Sequence, residues 1–354
     1  MAEVTIVGAG LSGLVAAINL ARKDHKVTIL ERESRIGGWG IFRPDPAGSW
    51  FDLDALKRWT GVDLAPSAKV IEESYVYSYG KQFAIPGKAK IKLYMVERGA
   101  RSTSIDTMLM NEAESLGVKI EYGQPVLTRS DFAQLPPNTI VATGLQIESY
   151  QALDVPYAPL YFWFAKGTVP HDRTTVSMWL DDWSTDYAFN CTINGVCFAL
   201  LFQRDKPLKD DAKKKYTQML FDKEGMEFEE WHDLEGLACP VGSIRNPRLF
   251  QGDKILAGTL AGVIDPFLFY GMLGALVSGR IAAMAIDNKE EAMKAFRKAI
   301  MTFYPSYTAK RVFNHIPDSI KKPATRVGLT VMPKVEGLGM LLATQLTPGW
   351  RVAQ

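Results

Sequence analysis

The stretch Gly8-Ala9-Gly10-Leu11-Ser12-Gly13 follows a β-branched run (Val4, Ile6, Val7) and precedes a small-residue segment from Leu14 to Arg22. A second apolar run, Val27 to Leu30, ends at Glu31, so the opening Glu3 to Arg32 reads as a βαβ unit. Each glycine has a physical task. Gly8 permits the tight turn, Gly10 lets backbone approach a pyrophosphate, and Gly13 allows helix and strand to pack closely. The helix start then presents free N–H groups and a positive dipole end to phosphates. Glu31, about twenty residues on, stands where a carboxylate reaches a ribose hydroxyl.

These spacings define a Rossmann-type dinucleotide site. After Glu31 the chain continues Arg32-Glu33-Ser34-Arg35-Ile36-Gly37-Gly38. This resembles the extended flavoprotein form of the fingerprint, in which a glycine pair follows the ribose-binding glutamate, and it implies FAD. The expected cofactor contacts here are Gly8, Gly10, Leu11, Ser12, Gly13, Glu31, Arg32, Gly37 and Gly38. No second GxGxxG occurs, so NAD(P)H is expected only as a transient electron donor.

Further apolar runs extend the same sheet. Thr103 with Asp106 suggests a capping box for a helix ending near Gly117, followed by strand Val118 to Tyr122. Thr139 to Ala142 and Lys254 to Ala257 read as buried strands, which makes the cofactor domain discontinuous. Between them Val70 to Tyr79 and Ile91 to Val96 alternate like half-buried strands, and Val176 to Gln203 holds two strand-like runs joined at Asn194-Gly195, a strong hairpin signal. The charged run Arg204 to Lys215 reads as a solvated helix start rather than a binding patch. Ala292, Ala295, Phe296 and Ile300 fall at helical spacing, so the chain closes with helices.

The expected fold is therefore α/β: a Rossmann-type FAD-binding domain with an inserted antiparallel β-sheet substrate domain and C-terminal helices. The cofactor domain takes residues 1–65, 98–150 and 239–288. Substrate-domain strands take 66–97, the substrate domain proper 151–238, and the helical region 289–354.

A second motif sharpens the reading. Ile255-Leu256-Ala257-Gly258-Thr259-Leu260-Ala261-Gly262-Val263-Ile264-Asp265-Pro266, continuing through Gly271, Gly274, Ser278, Gly279 and Arg280, is similar to the second FAD motif of the geranylgeranyl reductase family. That family belongs with the p-hydroxybenzoate hydroxylase-like flavoproteins. The resemblance covers about thirty residues and implies FAD contacts from Thr259, Gly271 and Met272. Where the family carries an aspartate toward the ribityl chain, this chain has Thr259, so a hydroxyl replaces a charge-assisted contact. The resemblance also implies roles beside FAD for Arg101, ahead of Ile105-Asp106 and Leu109 with a spacing one residue longer than the family's, and for Gly144. The family's aromatic signature beside the flavin has its counterpart in Tyr187-Ala188-Phe189 or Tyr161-Phe162-Trp163-Phe164, the order of elements favouring the first.

Composition excludes several classes of function. Across 354 residues, 41 basic and 39 acidic side chains give a formal charge of +2, too little for a nucleic-acid surface. Cys191, Cys197 and Cys239 form neither a disulfide framework nor a metal-ligand spacing, and the four histidines are scattered, so no metal is expected. Met1 runs straight into a strand without a basic leader, and the apolar span Ile255 to Ile286 carries Asp265, Arg280 and glycines that suit buried core better than a bilayer. A cytoplasmic protein is expected; the apolar Val327 to Met332 and Leu338 to Leu346 read as packed core, with peripheral docking on a membrane surface or a protein electron donor as the alternative.

The expected activity is that of an FAD-dependent oxidoreductase, in which the coenzyme carries the chemistry and the protein supplies orientation and electrostatics. The leading reading is a reductase of carbon–carbon double bonds in a small apolar, isoprenoid-like substrate. An NAD(P)H-dependent monooxygenase of aromatic substrates and a flavin-fold binding subunit without catalysis are the alternatives. Cys239, Tyr187 and Phe189 are the candidate active-site residues, with Trp39, Trp50 and Phe51 as candidate pocket walls.

Overall fold

The computed structural model describes residues 1–37, 46–50, 52–85, 93–184, 186–240, 243–331 and 348–353; for 46–50 and Tyr187 the backbone alone is described. Gly38, Trp39, Phe51 and the segment Leu338 to Leu346 lie outside these residues, as does the side chain of Trp50.

The opening unit folds as its spacing predicts. Strand β1 (Glu3–Val7) leads through the glycine turn into helix α1 (Leu11–Ala21), and β2 (Lys26–Leu30) returns parallel to β1 with Glu3 opposite Lys26 and Val7 opposite Leu30. Distant segments complete the sheet: β8 (Lys119–Glu121) beside β2, β9 (Ile140–Val141) on the other flank of β1, then β16 (Lys254–Leu256), with β15 (Phe250–Gln251) as an antiparallel edge. Ile140 pairs with both Ile6 and Ile255. The sheet is assembled from separated stretches of chain because three distant apolar runs satisfy their backbone groups by joining one ladder.

Helix α1 is buried almost all round and packs on α7 (Met272–Asp287). Glycine sets the approach. A Cβ on Gly13 would lie 2.0 Å from the Gly8 carbonyl oxygen, and one on Gly279 would lie 2.5 Å from that of Ser12. Neither site admits a side chain without moving backbone.

A seven-stranded sheet forms the second layer, in the order β14 (His232–Cys239), β10 (Ala158–Thr168), β13 (Val196–Arg204), β12 (Tyr187–Ile193), β11 (Thr175–Trp179), β5 (Glu73–Ser78), β6 (Lys81–Ala84). It is antiparallel except where β5 meets β11 in parallel. Asn194 and Gly195 turn the hairpin between β12 and β13 with φ of 54° and 75°, the geometry that matches the right-handed twist of the strands. The outer face carries Tyr77, Trp179, Ala188, Ala199 and Leu201 against Ala212, Tyr216 and Leu220 of helix α6 (Asp210–Glu224). Tyr77 and Trp179 stack at 4.0 Å, and the Trp179 indole N–H donates to Asn190 Oδ1 at 2.7 Å.

Three expectations need correction. The run at 91–96 does not join this sheet: β7 (Leu93–Glu97) lies between β3 (Pro46–Trp50) and β4 (Ala68–Val70) in a separate three-stranded sheet. The region 176–203 holds three strands rather than two. The cap of helix α3 (Ile105–Ser115) is Ser104, whose hydroxyl accepts the Thr107 N–H, while the Thr103 hydroxyl donates to buried Glu97 and Asp106 receives Arg98. A Ser one residue later satisfies the same orphan donor, which leaves Asp106 available as a counterion.

From residue 289 to 331 the chain is helical as expected: α8 (Lys289–Ala299) capped by Asn288, then α9 (Phe303–His315) and α10 (Asp318–Val331). Ile255 to Ile286 is strand β16, a loop and α7, and no helix among the described residues is long and apolar enough to cross a membrane.

Candidate functional site

The two layers enclose a cavity of about 380 Å³. Its polar end is built by the β1–α1 turn (Gly8, Gly10, Leu11, Ser12), by Glu31 and Glu33 after β2, by Arg98, and by Thr143 to Gln146 after β9. Alternation along the large sheet supplies the apolar end, with Leu160 and Phe162, Val176 and Met178, Phe189, and Leu200 and Phe202 on one face. The loop before α7 closes one side with Thr259, Ile264, Phe269, Tyr270, Gly271 and Met272.

Two helix N-termini that open on this cavity lack a side-chain cap. Gly10 precedes α1 and Gly271 precedes α7, and neither end has an acidic residue in its first turn. Uncapped N–H groups facing a cavity form a natural seat for an anion or an acceptor-rich ring. The Thr143 hydroxyl, buried in the cavity wall, has no hydrogen-bond partner among the described residues. An orphan of this kind fits a bound polar group better than an empty core.

Glu31 is held at the polar end by its own backbone. Its Oε2 accepts the Ala9 N–H at 2.7 Å and its Oε1 the Glu33 N–H at 2.9 Å. Each carboxylate oxygen keeps acceptor capacity toward the cavity. Arg98 is gripped by buried Asp106 through two bonds of 2.8 and 3.0 Å, and Asp106 also accepts the Gly99 N–H at 2.9 Å. The guanidinium thus enters the cavity wall with its charge already matched.

At the other end Asp265 accepts the N–H groups of Phe267 and Leu268 at 2.9 and 3.1 Å and a bond from the Ser306 hydroxyl. Burial pushes its pKa up, against these hydrogen bonds and nearby Lys310. The tight loop it organises carries Phe269 at φ of 59°, a conformation a bulky residue adopts only under constraint. Tyr270 follows, its hydroxyl 3.0 Å from Met178 Sδ and its pKa raised by burial.

Of the residues singled out from sequence, Gly8, Gly10, Leu11, Ser12, Glu31, Gly144, Thr259, Gly271, Met272 and Phe189 line the cavity. Gly13 stands behind the wall as a packing contact, and a Cβ on Gly37 would meet the Gly99 backbone at 2.3 Å. Arg32 is not among the lining residues and pairs with Glu33, which is, and more distantly with Glu148. Arg101 does not reach the cavity: it is half-exposed and paired with Glu97, and Arg98 occupies the wall instead. Cys239 is fully buried at the end of β14, outside the cavity lining. Sequence reasoning missed Arg98, Phe269 and Tyr270. For the last two, the run Asp265 to Gly271 held the signal: an aspartate and a proline ahead of aromatics form a tight turn, not a continuous core segment.

Residues 6–61 match the family of NAD(P)-binding Rossmann-like domains. Among curated proteins, a flavin-containing monooxygenase of Arabidopsis thaliana (FMO GS-OX2) is 45% identical over 55 residues, 16% of this chain and 12% of the relative. An L-amino-acid oxidase of Mus musculus is 31% identical over 140 residues, 33% of this chain and 22% of its own. The chain thus covers under a quarter of these relatives. Solved structures match nearly end to end. A geranylgeranyl bacteriochlorophyll reductase-like protein of Thermoplasma acidophilum superposes with a TM-score of 0.72 at 15% identity, covering 98% of this chain and 96% of the other. The p-nitrophenol 4-monooxygenase PnpA of Pseudomonas putida gives 0.66 at 14% identity over 98% and 99%. CtdE in complex with FAD gives 0.57 at 15% identity over 99% of both chains. At these identities the likeness is one of fold alone, a fold that CtdE shows in complex with FAD.

Proposed function

We propose that this chain is an FAD-dependent oxidoreductase that reduces carbon–carbon double bonds in a small apolar substrate. One observation carries the reading: a single cavity joins two uncapped helix N-termini and a backbone-anchored Glu31 to an apolar chamber lined by one face of a sheet. FAD bound there would supply hydride chemistry to whatever occupies the chamber.

The chain's own residues would divide the remaining work. Gly8, Gly10 and the first turn of α1 seat the diphosphate, Glu31 accepts the adenosine ribose hydroxyls, and Thr143 and Thr259 offer hydroxyls along the cavity. The amino end of α7 lines the cavity, where its positive dipole would favour negative charge on a bound group. Phe162, Met178, Phe189, Leu200 and Phe202 exclude water and orient an apolar substrate. At that end Tyr270 is the ionisable side chain among the described lining residues, and burial keeps its hydroxyl protonated. Its place in the lining, with the proton retained, would let it offer that proton to a substrate carbon in the chamber.

NAD(P)H is the proposed donor. The fold shared with a p-nitrophenol monooxygenase keeps aromatic hydroxylation as a second reading, separable by whether NADPH oxidation consumes oxygen only when a phenol is present. The test of the first is anaerobic mixing of the photoreduced protein with polyprenyl alkenes. Reoxidation of the flavin with a saturated product supports it, and a flavin that stays reduced with every alkene while NADPH and a phenol drive oxygen uptake overturns it.

A further inference from the structure

A second cavity, about 780 Å³, lies on the far side of the Phe269 loop. Its walls come from the end of β13, the start of α6, α9 and the start of α10. On α9 the lining residues Tyr307, Lys310, Arg311 and Asn314 fall at i, i+3, i+4 and i+7, one stripe of the helix turned toward the cavity. Facing them is the charged run from Arg204 to Lys215, which the sequence presents as a solvated helix start. Folding turns that run into a concave wall.

Charge is concentrated here. Seven Lys and Arg side chains line the cavity against four Asp, in a chain whose whole formal charge is +2. The acids are partly spent already: Asp186 holds Arg204 at 2.6 Å and Lys310 at 3.5 Å. Burial pushes the Asp186 pKa up, and the Arg204 hydrogen bonds outweigh it and hold the group below its ordinary value. Lys209, Lys215 and Arg311 form no side-chain ion pair among the described residues. The α6 N-terminus, preceded by Lys209 without a side-chain cap, opens on the same space.

An independent observation points to a ligand. Gln203, 6% exposed, lines this cavity, and its amide nitrogen is buried with no hydrogen-bond partner among the described residues. An unmatched buried donor inside a ring of cations asks for an acceptor oxygen, and water-exposed lysines alone would not explain it. The cavity also touches the chemistry next door. The Arg204 guanidinium lies over the Phe269 ring at 4.9 Å, and Phe269 lines the apolar chamber.

We propose that this cavity binds the phosphate or diphosphate group of a small organic ligand, held by Lys209, Lys215, Lys310 and Arg311 with the Gln203 amide donating to a phosphate oxygen. Lysine supplies point charges and arginine a planar fork, the pairing suited to a multiply charged oxyanion. The binding itself does not depend on the flavin reading. Two sources share this chemistry, a nucleotide reductant and a phosphorylated substrate.

Titration calorimetry of the full chain with inorganic pyrophosphate, at low ionic strength and without other oxyanions, tests the proposal. One saturable site is expected. The double variant Lys209→Glu/Lys215→Glu, at exposed positions that leave the fold alone, should weaken it about tenfold or more, and Gln203→Leu should weaken it while leaving the unfolding midpoint unchanged or higher. Lys119→Glu, on the edge of the Rossmann sheet, reverses a charge elsewhere and should leave affinity unchanged. Heat that never saturates, or affinity lost equally in Lys119→Glu and the double variant, overturns the site. Given saturable binding, pyrophosphate that competes with NADPH for flavin reduction assigns the phosphate to the reductant; competition with substrate alone assigns it to the substrate.

Discussion

Glu31 Oε2 accepts the backbone N–H of Ala9 at 2.7 Å, so the carboxylate that faces the cavity also fixes the glycine turn from which the cavity begins. Binding and local stability are joined in one side chain. Glu31→Gln puts an amide N–H where a backbone donor needs an acceptor, or turns it toward Glu33. The expected result is flavin affinity reduced about tenfold or more, with a loss of about 1–3 kcal/mol in stability. Flavin retention on a desalting column and a denaturant midpoint measure the two separately.

Gly13→Ala should act through backbone rather than chemistry. Its Cβ would meet the Gly8 carbonyl at 2.0 Å, so α1 must move away from the turn. We expect destabilisation of about 1–3 kcal/mol or more, together with loss of flavin, read by urea unfolding and by absorbance of the purified variant.

Substitutions in the apolar chamber should separate turnover from cofactor binding. Leu200→Trp fills space between Phe189 and Phe202 and should abolish turnover while the flavin stays bound. Tyr270→Phe removes the hydroxyl alone and should lower the rate of alkene reduction by about 10²-fold, with flavin reduction by the donor unchanged. Stopped-flow measurement of the two half-reactions distinguishes these outcomes from a general loss of structure.

The second cavity should bind anions in a pH-dependent way. Burial, with the Arg204 charge acting in the same direction, lowers the Lys310 pKa to about 8. Asp186 and Asp265 oppose that shift from the turn before β12 and from the loop before α7. Lys310 is charged below this value and neutral above it, so affinity for sulfate should fall as pH rises through about 8. In Lys310→Met the step should vanish. Calorimetric titrations with sulfate across the range give the profile directly.

Much of this was legible in the sequence, for a physical reason. The β1–α1–β2 unit is local, its glycines are dictated by clashes a few ångströms long, and Glu31 sits at a spacing set by one helix and one strand. The Asn194-Gly195 hairpin is local too. What failed was information carried by distant partners. The 91–96 run alternates as well for one sheet as for another, and only its pairing with β3 and β4 decides which. Thr103 and Ser104 offer the same capping hydroxyl, and Glu97 selects between them by engaging Thr103. Arg98 reaches the cavity because Asp106 holds it there, a pair separated by one loop that spacing alone does not reveal. The charged run at 204–215 is the solvated helix start it reads as, with α6 beginning at Asp210, and what spacing does not reveal is that α9 stands opposite it.

The central claim is that the cavity beside Gly10 and Glu31 holds FAD and delivers its ring to the apolar chamber. The absorption spectrum of the purified protein, taken before and after anaerobic addition of NADPH, tests it most directly. A two-banded flavin spectrum near one equivalent per chain, bleached by the donor and absent in Gly13→Ala, is predicted. A colourless protein that takes up no added FAD would contradict it.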